Sequence, residues 1–180
     1  LINAMLKAQV DLIWNGGIGT YVKASTETHA DVGDKANDGL RINGNELRCK
    51  VVGEGGNLGL TQRGRMEAAA KRGVRVNTDF IDNSAGVDCS DNEVNIKIAL
   101  NPELVSGTLK PDARNSLLES MTDEVGALVL EDNRLQALGL SIAEMGGTKN
   151  LPSYIRLIDQ FEEQGQLNRA VEGLASNEDL

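Results

Sequence analysis

The stretch Gly53-Glu54-Gly55-Gly56-Asn57-Leu58-Gly59 has clear chemical potential, because glycines let backbone amides approach an anion ahead of a following helix. Its spacing departs from both common phosphate-binding patterns. A dinucleotide fingerprint needs glycine where Leu58 stands, and a nucleoside-triphosphate loop needs a Gly-Lys-Ser/Thr ending that is absent. Taken alone, the stretch fits a plain turn and a ligand contact equally. Asp34, Asp38 and Gly39 have part of a calcium-loop spacing, but Ala36 and Asn45 occupy positions where liganding side chains belong, so calcium is not expected. His29 is the only histidine and has no Cys or Asp at catalytic spacing, which points to a surface role. Asp82, Asp88, Asp91 and Glu93 could gather a metal, or could simply favour a helix N-terminus through the macrodipole; no metal site is assigned to them.

Three short apolar runs have strand character and end in polar or glycine residues, as strands do that feed a ligand-facing edge. They are residues 10–14 before Asn15-Gly16-Gly17, residues 49–53 before the glycine loop, and residues 74–77 before Thr78-Asp79. Between the second and third, Thr61 can cap a helix running through Met66, Ala69 and Ala70 to Gly73. A strand-helix-strand crossover implies parallel strands. After the third strand, Asn83 or Ser84 can cap a helix with Val87, Ser90, Val94 and Ile98 down one face, and Pro102 is expected to end it. Beyond Pro102 the pattern is helical alone: one helix starts at Pro111, a second ends at Gly146-Gly147, and Pro152 opens a third. Residues 23–46, rich in Asp, Asn and Gly, read as a helix flanked by long loops or as a surface insertion.

At 180 residues and 40% apolar content, the chain can bury a real core. A net charge of −9 with scattered basic residues speaks against nucleic-acid binding, and no apolar run approaches a membrane span. Cys49 and Cys89 show neither a pairing pattern nor metal spacing, which fits a reducing cytoplasm. The helical pattern starts almost at Leu1, and Ser176, Asn177, Glu178 and Asp179 look like the cap and first acidic turn of a helix without a body. Both ends look cut, so a fragment is expected, with the remainder of the same polypeptide as a partner.

Residues Val51-Val52-Gly53-Glu54-Gly55-Gly56-Asn57, then Asp79-Phe80-Ile81-Asp82-Asn83-Ser84-Ala85-Gly86-Val87 and Ser90, resemble consecutive motifs of the glutamate dehydrogenase nucleotide domain. The large bacterial NAD-specific type is similar more closely still. In that type Asp11-Leu12-Ile13-Trp14-Asn15-Gly16-Gly17-Ile18-Gly19-Thr20-Tyr21-Val22 and Asn83-Ser84-Ala85-Gly86-Val87-Asp88-Cys89-Ser90-Asp91 appear nearly verbatim. The resemblance implies an α/β fold: the second half of a Rossmann-like parallel sheet domain over residues 1–101, followed by an all-helical C-terminal segment over 102–180. It implies NAD as cofactor, L-glutamate and 2-oxoglutarate as substrate and product, and a homo-oligomeric full-length enzyme. Gly16 and Gly17 match positions bordering the adenosine, and Asn57 matches an asparagine near the nicotinamide ribose. Asn83 matches one that hydrogen-bonds the nicotinamide carboxamide, which suits a side chain with both donor and acceptor. Val87 and Ser90 match residues of the substrate pocket, the serine hydroxyl binding the side-chain carboxylate of glutamate. The catalytic lysine, the proton-shuttling aspartate and the first phosphate-binding turn belong to sequence upstream of Leu1, so no catalytic residue is assigned here. Two other readings remain open. One is a branched-chain or aromatic amino-acid dehydrogenase of the same superfamily, against which Ser90 argues because an apolar substrate leaves its hydroxyl unpaired. The other is a regulatory or assembly module with no ligand of its own.

Overall fold

A computed structural model describes residues 1–178. The chain divides into two compact units, Leu1–Asn133 and Arg134–Leu180. The first opens with α1 (Ile2–Leu6), β1 (Leu12–Asn15) and β2 (Val22–Lys23), then α2 (His29–Val32), β3 (Ile42–Asn43) and β4 (Val51–Glu54). It continues with α3 (Gln62–Arg72), β5 (Arg75–Val76), α4 (Asp79–Asp82), α5 (Ser84–Ser106), α6 (Pro111–Ser120) and the start of α7 (Thr122–Gly146). The second unit holds the end of α7, α8 (Leu151–Glu163) and α9 (Arg169–Glu172). Of the proposed terminal helix start, Ser176 to Glu178 are not helical, and Asp179 lies outside the described residues. No helix among the described residues is long and apolar enough to cross a membrane.

The three expected strands form one parallel sheet in the order β1-β4-β5, with α3 as the crossover. Their limits differ from the apolar runs because pairing, not hydrophobicity, defines a strand. Val10 and Cys49 lie outside the ladder, whereas Asn15 and Glu54 pair within it. Thr61 caps α3 through an Oγ1 that accepts the Gly64 amide, and Gly73 ends it in the left-handed conformation at φ 65°. Pro102 does not end α5. The helix runs four residues further to Ser106 and stops at Gly107, φ 78°, because proline forfeits one amide hydrogen bond while its fixed φ remains helical. Pro111 and Pro152 stand in the first turns of α6 and α8, as their lack of an N–H allows.

Residues 23–46 are not a surface insertion. They supply β3, which pairs in parallel with β2, and Ile42, only 2% exposed, joins Val22, Leu47, Val52, Leu60 and Ala68 in the core. Full burial of such a side chain stabilises by roughly 1.5–3 kcal/mol. Arg41 is buried under this segment, donating to the carbonyls of Thr20 and Asp34 and to the Asp38 carboxylate, so Asp34 and Asp38 surround a guanidinium. His29 Nδ1 lies 2.7 Å from the same Arg41.

Glu67 ties this segment to α3. Its carboxylate accepts the amides of Ser25 (2.8 Å) and Asn45 (3.3 Å), the Ser25 hydroxyl and the Lys71 ammonium. Desolvation works to raise its pKa, but these donors outweigh it and pull the value from 4.5 to about 2. A depressed carboxylate pKa contributes stability above the unfolded value, and that stability is lost as pH falls toward the folded one. Glu67→Gln should therefore destabilise the fold by about 2–3 kcal/mol near neutral pH. The difference from wild type should shrink as pH falls from about 4.5 toward 2. Urea unfolding of both proteins across that range checks this; a pH-independent difference would contradict it.

Candidate functional site

The glycine loop leaves the C-terminal end of β4 and folds back on the turn that leaves β1. A Cβ on Gly56 would stand 2.4 Å from the Gly17 carbonyl oxygen, and one on Gly59 would stand 1.8 Å from Asn15 Nδ2. At Gly56, where the obstacle is backbone, only glycine permits this contact between the two strand ends; at Gly59 the Asn15 side chain would have to move. Leu58, where a dinucleotide fingerprint would carry glycine, adopts φ +57°. Its amide donates to Asp79 Oδ2 at 2.8 Å, and that bond offsets the steric cost of a side chain in the left-handed region.

Gly55, Asn57, Asn83, Ala85, Gly86, Val87, Ser90 and Asp91 line one open hollow of about 460 Å³. Four of the sequence-derived candidates, Asn57, Asn83, Val87 and Ser90, thus come together. Val87 and Ser90 sit one turn apart on α5, with Val87 54% exposed. Gly16 and Gly17 do not line this hollow. Gly17 lines a separate apolar pocket with Ile13, Trp14 and Tyr21, although its carbonyl abuts Gly56.

Asn83 occupies the N-cap position of α5 but does not cap it, contrary to expectation. Its carboxamide reaches across the hollow's edge: Nδ2 donates to the Gly56 carbonyl at 3.1 Å and to Asn57 Oδ1. Both acceptors fix the amide's orientation, so its oxygen is the free end. That Oδ1 is buried and has no partner. A buried, unsatisfied acceptor costs about 1–3 kcal/mol and calls for a donor. Ser84, the other cap candidate, donates instead to the Ile81 carbonyl and to Asn133.

Behind the loop lies a group of charged residues that sequence reasoning did not bring together. Glu54 is completely buried, accepts the Leu60 amide at 3.0 Å and pairs with Arg65 Nη2 at 2.6 Å. Burial pushes the Glu54 carboxyl above its ordinary range, Arg65 pulls it back, and the Asp79 charge adds to the upward push. Asp82, one of the possible metal ligands, accepts the Glu54 amide at 3.0 Å and Asn77 at 2.9 Å. Asp88 accepts from Asn92, and Glu93 pairs with Lys97. Among the described residues no group of three or more His, Cys, Asp or Glu could hold a metal. A signal was present: a carboxylate ending an apolar strand is costly to bury without a cation, and Arg65 stands in the first turn of the next helix.

Chemically, the hollow offers the carboxamide residues Asn57 and Asn83, a hydroxyl one helical turn from Val87, and Asp91 as its one ionisable lining group among the described residues. It suits an amide-bearing ligand with a second polar ligand beside it.

Among known proteins, residues 1–143 match the family model described as bacterial NAD-glutamate dehydrogenase, catalytic domain. Over all 180 residues the chain is 62% identical to an NAD-specific glutamate dehydrogenase of Halomonas elongata and 59% identical to one of Pseudomonas aeruginosa. It is 51% identical to one of Mycobacterium tuberculosis. The whole of this chain is covered each time, and it spans 11% of the length of each relative.

Proposed function

The chain belongs to the bacterial NAD-glutamate dehydrogenase catalytic-domain family, and from that premise we propose that it forms the nicotinamide and substrate side of such an enzyme. The reaction is oxidative deamination of L-glutamate to 2-oxoglutarate and ammonia. The observation that carries this reading is the orphaned Asn83 Oδ1 at a hollow shared with Asn57, Val87 and Ser90. Turned toward the hollow, that oxygen would accept a carboxamide N–H of the nicotinamide, and a side chain with both donor and acceptor at this place fits the cofactor. The sheet β1-β4-β5 with its α3 crossover is then the second half of a Rossmann-like domain. On this reading the functional division falls at residues 1–101 and 102–180, inside α5, and does not coincide with the compact units.

Bound NAD supplies the hydride acceptor; this chain supplies orientation. Asn83, pinned by the Gly56 carbonyl and Asn57, would hold the ring's amide and so orient the ring. Asn57, on the loop, contacts the ribose. One turn along α5 from Val87, the Ser90 hydroxyl donates to the side-chain carboxylate of glutamate, and Val87 packs against its methylenes. Gly16 and Gly17 border the adenosine from the β1 turn. The water-activating lysine and the proton-shuttling aspartate are supplied from outside these residues.

The test is a glutamate assay on the full-length polypeptide with NAD and NADP side by side, together with the 180-residue chain alone. Turnover is expected with NAD and full-length protein only. Comparable turnover with NADP, or any turnover by the chain alone, would overturn the reading.

A further inference from the structure

Three carboxylates and one guanidinium lie directly behind the loop that carries Asn57. Glu54 ends β4, Asp79 and Asp82 begin and end α4, and Arg65 stands in the first turn of α3. Each carboxylate holds a backbone amide of the strand end or loop. Asp82 takes that of Glu54 at 3.0 Å, Asp79 that of Leu58 at 2.8 Å, and Glu54 that of Leu60 at 3.0 Å. The loop is thereby held at its entry, its middle and its exit.

Arg65 Nη2 sits between two of these carboxylates, 2.6 Å from Glu54 and 3.2 Å from Asp79. Its side chain is 8% exposed, and Nε is buried without a partner. The guanidinium leaves one N–H unsatisfied while its terminal nitrogen bridges the acids. Without that cation, two carboxylates would face each other in a place closed to water. Either would then take up a proton or move, and a moved carboxylate releases the amide it holds.

We propose that Arg65 is a positioning residue for cofactor binding: by locking Glu54 to Asp79 it fixes the loop geometry that brings Asn57 against Asn83. The inference rests on the reading of the hollow as the nicotinamide side. Arg65 lines neither the hollow nor its rim, so it acts only through the loop.

The test uses the full-length polypeptide carrying Arg65→Met, Arg65→Lys or Asn83→Ala, with kinetics against NAD and glutamate and thermal unfolding in parallel. Arg65→Met should raise the KM for NAD about ten- to a hundred-fold, the scale on which small misplacements of positioning groups act. The KM for glutamate should stay close to wild type. Arg65→Lys should recover most of the loss, because a cation returns between the two acids. A lowered Tm with an unchanged KM for NAD would overturn the proposal, and so would equal rises in both KM values. Should Arg65→Met not fold, Asp79→Asn carries the same comparison: a selective rise in the KM for NAD supports the proposal and its absence overturns it. Asn83→Ala separates the proposal from its premise. A rise there without one in the Arg65 variants leaves the nicotinamide reading standing and removes the role of Arg65. No rise in Asn83→Ala removes the reading and the proposal together.

Discussion

Replacing Ser90 by valine in the full-length enzyme should lower kcat/KM on glutamate by about one to two orders of magnitude, the equivalent of a charge-assisted hydrogen bond worth roughly 1.5–3 kcal/mol. Ser90 lines the hollow one turn beyond Val87 on a helix whose exposed face carries both. Valine removes the donor and adds one heavy atom of apolar bulk, so on the proposed reading the substrate carboxylate would lose its partner while the wall beside it stays packed. Any trace activity on norvaline, which has no side-chain carboxylate, should hold or rise. A hydroxyl that merely faces solvent from α5 gives another pattern: stability shifts and both substrates change together. An unchanged ratio of efficiencies on glutamate and norvaline, wild type against Ser90→Val, would remove Ser90 from the pocket.

Asn83→Ala should weaken NAD by about one order of magnitude, because it removes the acceptor proposed for the carboxamide and leaves the Gly56 carbonyl without its Nδ2 donor. The informative measurement pairs this variant with a cofactor analogue in which the carboxamide is replaced by an acetyl group. That analogue keeps the ring carbonyl and lacks the N–H proposed to meet the unpartnered Oδ1. In wild type, NAD should be preferred over it; in Asn83→Ala the preference should largely vanish, since variant and analogue delete the two ends of one bond. Equal losses for both cofactors would mean that Asn83 only braces the loop.

Features whose causes lie within a few residues of each other were legible in the sequence. The α3 boundaries follow from Thr61 and Gly73, the starts of α6 and α8 from Pro111 and Pro152, and the parallel pairing from a helix between two apolar runs. A cap, a turn or a crossover is specified by local backbone stereochemistry, which one short window of sequence contains. The family motifs were legible for a related reason: Asn57, Asn83, Val87 and Ser90 stand in runs long enough to be distinctive.

What only the tertiary structure decided is where side chains with several possible partners go. Asn83 could cap α5 or cross to the glycine loop, and it crosses because Gly56 and Asn57, far away in sequence, offer two acceptors at once. Residues 23–46 have the composition of a surface loop, yet Arg41 finds the carbonyls of Thr20 and Asp34 and is buried there. Pro102 carries a stop signal that the rest of α5 overrides. Glu54, Arg65 and Asp79 become one ion-paired group only when the β4 end, the start of α3 and α4 converge, which the carboxylate ending β4 hints at but does not specify. Polar groups make short-range, directional bonds whose worth depends on burial, and burial is a property of the whole assembled fold rather than of any window of the chain.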